Sequence, residues 1–404
     1  MRFAAIVAAL GIVAEAMAVP APMTVVSDDE ADPLRSAISR KEAWTTDAVR
    51  HLRADADRRM LQGPWSVTTE RPAGLPLDAH DYYSEAAYYW PNPEDPGGPF
   101  LLRDGHLNPE RFNANRNALT QMCDTVFALG TAAYLFDDTR YAQRAARVVN
   151  AWFINPRTRM NPQLEYAGAI RGLNLGRPEG MLEGRAFIRA IQGMEFLSRT
   201  GSWDAKDQEA VRKWFQEYLQ WLTQSKFGLE AKTSGNNQAS WWTAQVAAVA
   251  SFVENEAAMK MAFDFYRDRI YPRQIAENGS APREEARISP WYSVFNLEAF
   301  TMVCRIAQVQ GTDLWSVRGK NGLSLGGVID YLKPYLADPR RFSREQALDL
   351  DTDALYFLAF AGMGLKNPAY IGLYQKLEHP ERAWLSLVDL LVLRWEAAGH
   401  QTRH

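Results

Sequence analysis

The sequence predicts an all-α fold, either a solenoid or a toroid of helical hairpins. Three observations carry this. Beyond residue 110, apolar residues recur at helical spacing in segment after segment. The Val/Ile/Thr alternation of strands is scarce. Consecutive segments are joined by short connections, which pack helices as antiparallel neighbours. Residues 113–136 carry Leu119, Met122, Val126 and Leu129 on one face. Residues 141–153 follow, opening near Asp138 and Thr139, both good cap residues. Helices are expected over 185–197 and over 205–223, where Val211, Phe215, Leu219 and Leu222 line up. Residues 238–253 and 256–271 form a pair with a very short link, and 292–310, 325–336, 355–362 and 384–395 complete the series.

The chain has 404 residues, with Lys+Arg 45 against Asp+Glu 48 and 47% hydrophobic content, which excludes a disordered or collagen-like chain. A net charge of −3 offers no electrostatic reason to bind nucleic acid or an anionic membrane. Arg2, the apolar stretch from Phe3 to Val13 and Ala16-Met17-Ala18 read as a signal peptide cleaved after about residue 18. The remainder, 19–404, is expected to form one domain and to be secreted. Cys123 and Cys304 lie in apolar helical patterns, where a disulfide and two separate buried thiols are both open. His51, His80, His106, His379, His400 and His404 show no paired-ligand spacing, so no metal motif is present. Asn278-Gly279-Ser280 is a glycosylation sequon.

The chemistry is concentrated in the irregular stretches. Aromatic content is 12%, with 13 Trp and 16 Tyr, side chains that suit sugar clefts as well as cores. Residues 63–110 are rich in proline and contain His80-Asp81-Tyr82-Tyr83 and Tyr88-Tyr89-Trp90. Residues 155–184 hold Tyr166, Arg171, Arg177 and Glu183 among glycines. Ser234-Gly235-Asn236-Asn237-Gln238 stands before the helix bearing Trp241 and Trp242. One Asn is explained as an N-cap; the pair is not, and an Asn amide at a helix N-terminus can also donate to an anionic oxygen. Arg283, Arg287 and Tyr292 form a last group: Arg can face a carboxylate, and Tyr can act as acid or base. Spacing alone favours the blander reading, surface ion pairs among Arg283, Glu284, Glu285 and Arg287 with Tyr292 in the core.

The segments HDYYSEAAYYWPNP, RDGHLNPE, MNPQLEYAGAIRGLNLGRPEG, SGNNQASWW and EEARISPWYSVFNLEAF, in that order, resemble the alginate lyase superfamily over residues 75–310. The likeness is greater to its polysaccharide lyase family 38-like branch of glucuronan and alginate lyases than to the shorter family 5 enzymes. The resemblance implies an (α/α) toroid, an incomplete barrel of helical hairpins, with long aromatic loops lining a cleft. It also implies β-elimination on a uronic-acid polymer, with no cofactor. Asn236 and Asn237 match the family's Asn pair, which neutralises the uronate carboxylate. Arg287, with Arg283 beside it, matches its arginine, and Tyr292 matches the Tyr that protonates the leaving oxygen. Gln238, Tyr166, Arg177, Arg283 and Trp241 are expected to bind substrate, as are Tyr88 and Trp90.

One departure matters. Relatives commonly have Asn-Asn-His, and the third residue here is Gln238, which can only hydrogen-bond. Either Tyr292 serves as both acid and base, or His80 is recruited. One group doing both jobs suits syn elimination, hence a β-D-uronate polymer, glucuronan or polymannuronate. Two other readings stay open. One is a glycoside hydrolase drawing on Glu183, Glu284 or Glu285; the other is an inactive binder of uronate polysaccharide. The expected partner is the polysaccharide alone, and the expected state is a monomer.

Overall fold

The computed structural model describes residues 21–287, 291–319, 322–338 and 355–399. The expected signal peptide lies outside them. The helices are α1 Asp28–Ser39, α2 Thr46–Met60, α3 Ala114–Phe136, α4 Thr139–Val149, α5 Phe187–Arg199, α6 Ala205–Gln224, α7 Lys226–Thr233 and α8 Asn237–Phe252. They continue with α9 Glu256–Phe265, α10 Tyr271–Gln274, α11 Pro282–Glu285, α12 Trp291–Val309, α13 Leu325–Ala337, α14 Phe357–Gly364, α15 Pro368–Tyr374 and α16 Ala383–Ala397.

Helices α3, α5, α8, α12, α14 and α16 pack in sequence, and α16 returns to α3, closing an inner ring. Between them α4, α6, α9, α13 and α15 run on the outside, with α2 covering the seam between α16 and α3. This is an (α/α) toroid. The alternation of inner and outer helices, with the short α7, α10 and α11 in the connections, makes the inner ones run the same way. Their N-termini therefore meet at one rim, and their partial positive charges favour an anionic ligand there. Four short strands decorate the rim. Tyr83–Glu85 (β1) pairs in parallel with Tyr166–Ala169 (β4), and Tyr89–Trp90 (β2) pairs antiparallel with Leu101–Leu102 (β3).

The sequence pattern and the structure differ where local chemistry interrupts an α-helix. Residues 256–271 divide into α9, a π turn over Tyr266–Ile270 and α10. Pro272 has no N–H to continue the ladder, which accounts for the break. Helix α4 likewise ends in a π turn, Asn150–Ile154, and Asp138 caps it by accepting from the Arg140 N–H at 3.0 Å. Helices α1 and α2 escape an apolar-spacing reading because α2 buries Asp55 and Arg59 along with Ala48, Leu52 and Ala56. The two charges neutralise each other at 3.0 Å. Cys123 and Cys304 are separate buried thiols.

At the opposite end from the rim, residues 23–26 thread into the ring, with Met23, Val25 and Val26 wholly buried. The Gln192 side chain accepts from the N–H groups of Val25 and Val26, both at 2.8 Å, and Arg305 donates to the Val25 carbonyl at 2.8 Å.

Candidate active site

Helix α8 begins on the rim. Gly235, at φ +70°, turns the chain into it, and Asn236 caps it by accepting from the Gln238 N–H at 3.0 Å. A positive φ is cheap only for glycine. Asn236 is thus occupied as the cap. Asn237, the first helical residue, is 4% exposed and donates twice to one carboxylate: backbone N to Glu284 Oε1 at 2.5 Å, and Nδ2 to Glu284 Oε2 at 2.6 Å. Burial pushes the Glu284 carboxyl up, while the Asn237 donors and Arg287 pull it down.

Short helix α11 carries Glu284 and has an arginine on either side of it. Arg283 Nη1 donates to the Ser234 carbonyl at 2.6 Å, pinning the turn before α8. Arg287 reaches the other way. Its Nη2 donates to the Tyr292 hydroxyl at 3.1 Å, and its guanidinium lies 4.3 Å from the centre of that ring. The same guanidinium forms a two-point ion pair with Asp104, at 2.8 and 3.2 Å. Tyr292 opens α12, and the Tyr88 hydroxyl hydrogen-bonds to it. Burial and Tyr88 hold the Tyr292 phenol well above its usual range, against the pull of Arg287. Tyr292 is therefore a neutral phenol at physiological pH.

The structure thus brings Asn236, Asn237, Arg283, Arg287, Tyr292 and Tyr88 into one connected cluster, with Gln238 half-buried on the first turn of α8. Other expected residues line the rim loops. Arg177 Nε donates to the Gly168 carbonyl at 2.9 Å and stacks 5.2 Å from Tyr89. Tyr166 sits on β4 opposite Tyr83. Trp90 donates to the His106 carbonyl at 2.9 Å, with Arg103 stacked 5.2 Å from its ring. His80 anchors a loop: its Nδ1 pairs with the Arg159 carbonyl at 2.6 Å, and its own carbonyl accepts from Asn161 N at 2.9 Å. Trp241 is a correction. At 2% exposure, with its ring 5.3 Å from Phe295, it has no open face for a sugar, because α8 is buried on nearly every side.

Two residues of the cluster were not visible as such in the sequence. Asp104 lies in the RDGHLNPE segment, 183 positions from Arg287, and no local spacing links them. Glu284 reads as a surface charge, yet it is 2% exposed. The signal for it was the Pro282 start of a helical turn, which faces one residue of the Arg-Glu-Glu-Ala-Arg run inward. Glu183 is also engaged, accepting from Ser84 at 2.9 Å and from the buried Tyr82 hydroxyl.

A helical toroid whose rim gathers Asn, Arg and Tyr defines a class, the polysaccharide lyases of this architecture, and comparisons agree. The model of the alginate lyase family matches residues 66–342. The chain belongs to the alginate lyase family and is a polysaccharide lyase acting on a uronate polymer. An alginate lyase from Bacteroides ovatus is 27% identical over 91% of this chain and 99% of that one, with a TM-score of 0.84. A variant of alginate lyase A1-III complexed with a tetrasaccharide shares the fold at 16% identity, over 89% of this chain and 94% of that one, with a TM-score of 0.55. Alginate lyase A1-III from Sphingomonas species A1 does so at 13% identity, over 77% and 86%, with a TM-score of 0.51. No functionally curated protein matches the chain.

Proposed function

We propose that this is an exported lyase of the family 38-like branch that cleaves a β-D-uronate polymer, glucuronan or polymannuronate, by syn β-elimination. The observation that carries the reading is the Tyr292 hydroxyl at 3.1 Å from Arg287 Nη2, in the same cluster as the Asn237 amide. Asn237, aided by Gln238, donates to the uronate carboxylate and stabilises the charge that builds there as C5 loses its proton. The electron pair of the C5–H bond becomes the C4=C5 double bond, and the C4–O bond breaks.

Tyr292 handles both protons. A phenol has one donor and accepting lone pairs. It passes its proton to the leaving C4 oxygen and takes the C5 proton in return, so it ends the cycle as it began. The two transfers overlap, so C5–H and C4–O break together, and Arg287 steadies the partial negative charge on the phenol oxygen while they do. A neutral phenol suits this exchange, and it needs both groups on one face of the sugar. D-Glucuronate and D-mannuronate meet that requirement, whereas L-guluronate does not.

The test is incubation with glucuronan, polymannuronate and polyguluronate, following the ultraviolet absorbance of the unsaturated uronate. Product from the first or second polymer and none from the third is expected. Preferred cleavage of polyguluronate overturns the syn assignment. Reducing ends without absorbance indicate a hydrolase, and neither signal indicates a binder. Export rests on the leader-like residues 1–18. It predicts a mature N-terminus near residue 19 in protein recovered from the medium.

A further inference from the structure

We propose that Glu284 is a positioning residue that fixes which end of the Asn237 amide faces the substrate; this rests on the β-elimination reading above. Both oxygens of the Glu284 carboxylate are taken by one residue, through the Asn237 backbone N at 2.5 Å and Nδ2 at 2.6 Å. Helix capping does not require this clamp, because Asn236 already caps α8 through its side chain. Keeping a carboxylate at 2% exposure is costly unless its oxygens are well bonded.

The clamp makes a chemical choice. An ionised carboxylate can only accept hydrogen bonds, so it selects the amide nitrogen of Asn237 over the amide oxygen. One hydrogen of Nδ2 points to Glu284, and the second is left in a fixed direction. An amide turned the other way would present its oxygen to a uronate carboxylate and repel it. Holding Asn237 by backbone and side chain together removes that alternative before substrate arrives, which is the condition for donors to stabilise a transition state without reorganising. The arginines on either side of Glu284 keep it in place. Arg283 is bonded to Ser234 at the turn before α8, and Arg287 is bonded to Asp104 and Tyr292. Glu284 therefore links the carboxylate-neutralising half of the site to the proton-transfer half without touching the sugar.

The experiment is a double-mutant cycle on kcat with the best polymer. Glu284→Gln puts a donor where two N–H groups need acceptors. It should lower kcat on the order of 100-fold, as loss of one preorganised donor does, and move KM by less than about threefold. In an Asn237→Ala background the same change should cost less than about twofold, because Glu284 acts only through the amide already removed. If Glu284→Gln does not fold, Glu284→Asp takes its place in the cycle with the same criteria, since it keeps the charge and withdraws the oxygens by one methylene. Near-normal kcat in the single variant, or losses that multiply in the double, overturns the proposal. Should the wild-type protein give no unsaturated product from any of the three polymers, the elimination reading fails instead, and the two failures are distinct.

Discussion

Tyr292 carries the sharpest expectation at the scale of single residues. Removing its hydroxyl in Tyr292→Phe leaves the ring under Arg287 and deletes the proton carrier. Turnover should fall by roughly 100- to 10,000-fold, the range for a lost acid–base group, with an unchanged melting temperature. A near-normal kcat refutes the role. Because burial raises the Tyr292 phenol, and the neutral form is the active one, kcat/KM should hold past the ordinary tyrosine value of about 10; an alkaline limb well below that value contradicts the neutral-phenol exchange. Asn237→Ala should lower kcat by on the order of 100- to 1000-fold while KM changes little. A normal kcat in a protein that melts early would mean that Asn237 serves only the helix start. His80 bonds the Arg159 carbonyl at 2.6 Å, an anchoring contact. His80→Ala should then reduce stability or binding modestly and leave the shape of the kcat/KM pH profile as in wild type. Loss of an acidic limb in that variant would return His80 to the chemistry.

The element that decides the site is the turn from α7 into α8. Gly235 stands at φ +70°, and a Cβ there would come within 2.6 Å of Arg283 Nη1, the group that pins the turn. Gly235→Ala therefore pays a left-handed backbone cost of about 1–2 kcal/mol and pushes Arg283 off Ser234. Thermal unfolding should show a lower melting temperature, and kcat should drop because α11 carries Glu284 and leads directly into Arg287. An alanine variant with wild-type melting and kcat would mean that the turn tolerates both changes. The start of this helix was legible in the sequence, since Asn is a favoured cap. Which Asn capped and which turned toward Glu284 was not, because adjacent amides have the same chemistry and only the packing of α11 separates them.

Across the whole molecule, the buried strap at residues 23–26 ties the N-terminal segment to the ring and predicts a pH effect on stability. Glu195 accepts from Thr24 N at 2.8 Å and Thr24 Oγ1 at 2.7 Å. Burial pushes its carboxyl up to about 7, although the Thr24 hydrogen bonds and Arg199 pull it down. The folded protein then holds a proton that the unfolded chain releases near its ordinary value of about 4.3. Between those values the native state binds more protons, so stability falls as pH rises from about 4.3 toward 7 and levels off above. Glu195→Gln cannot ionise, and its melting temperature should lack this decline when the two proteins are scanned over the same pH range. Parallel curves would show that Glu195 does not titrate on unfolding.

Composition, helical periodicity and the order of the loop motifs determined the helical class, most helix positions and the segments from which the rim cluster is assembled. These depend on local spacing, which a single chain displays directly: Val211, Phe215, Leu219 and Leu222 mark α6 wherever it packs. Tertiary structure alone decided the partners. Asp104 meets Arg287 across 183 positions, Glu284 turns inward to Asn237 although its neighbour Glu285 has the same charge, and Trp241 becomes core although it sits beside the site. The reason is that burial and ion pairing depend on which surfaces the closed ring brings together, and spacing along the chain carries no record of that closure.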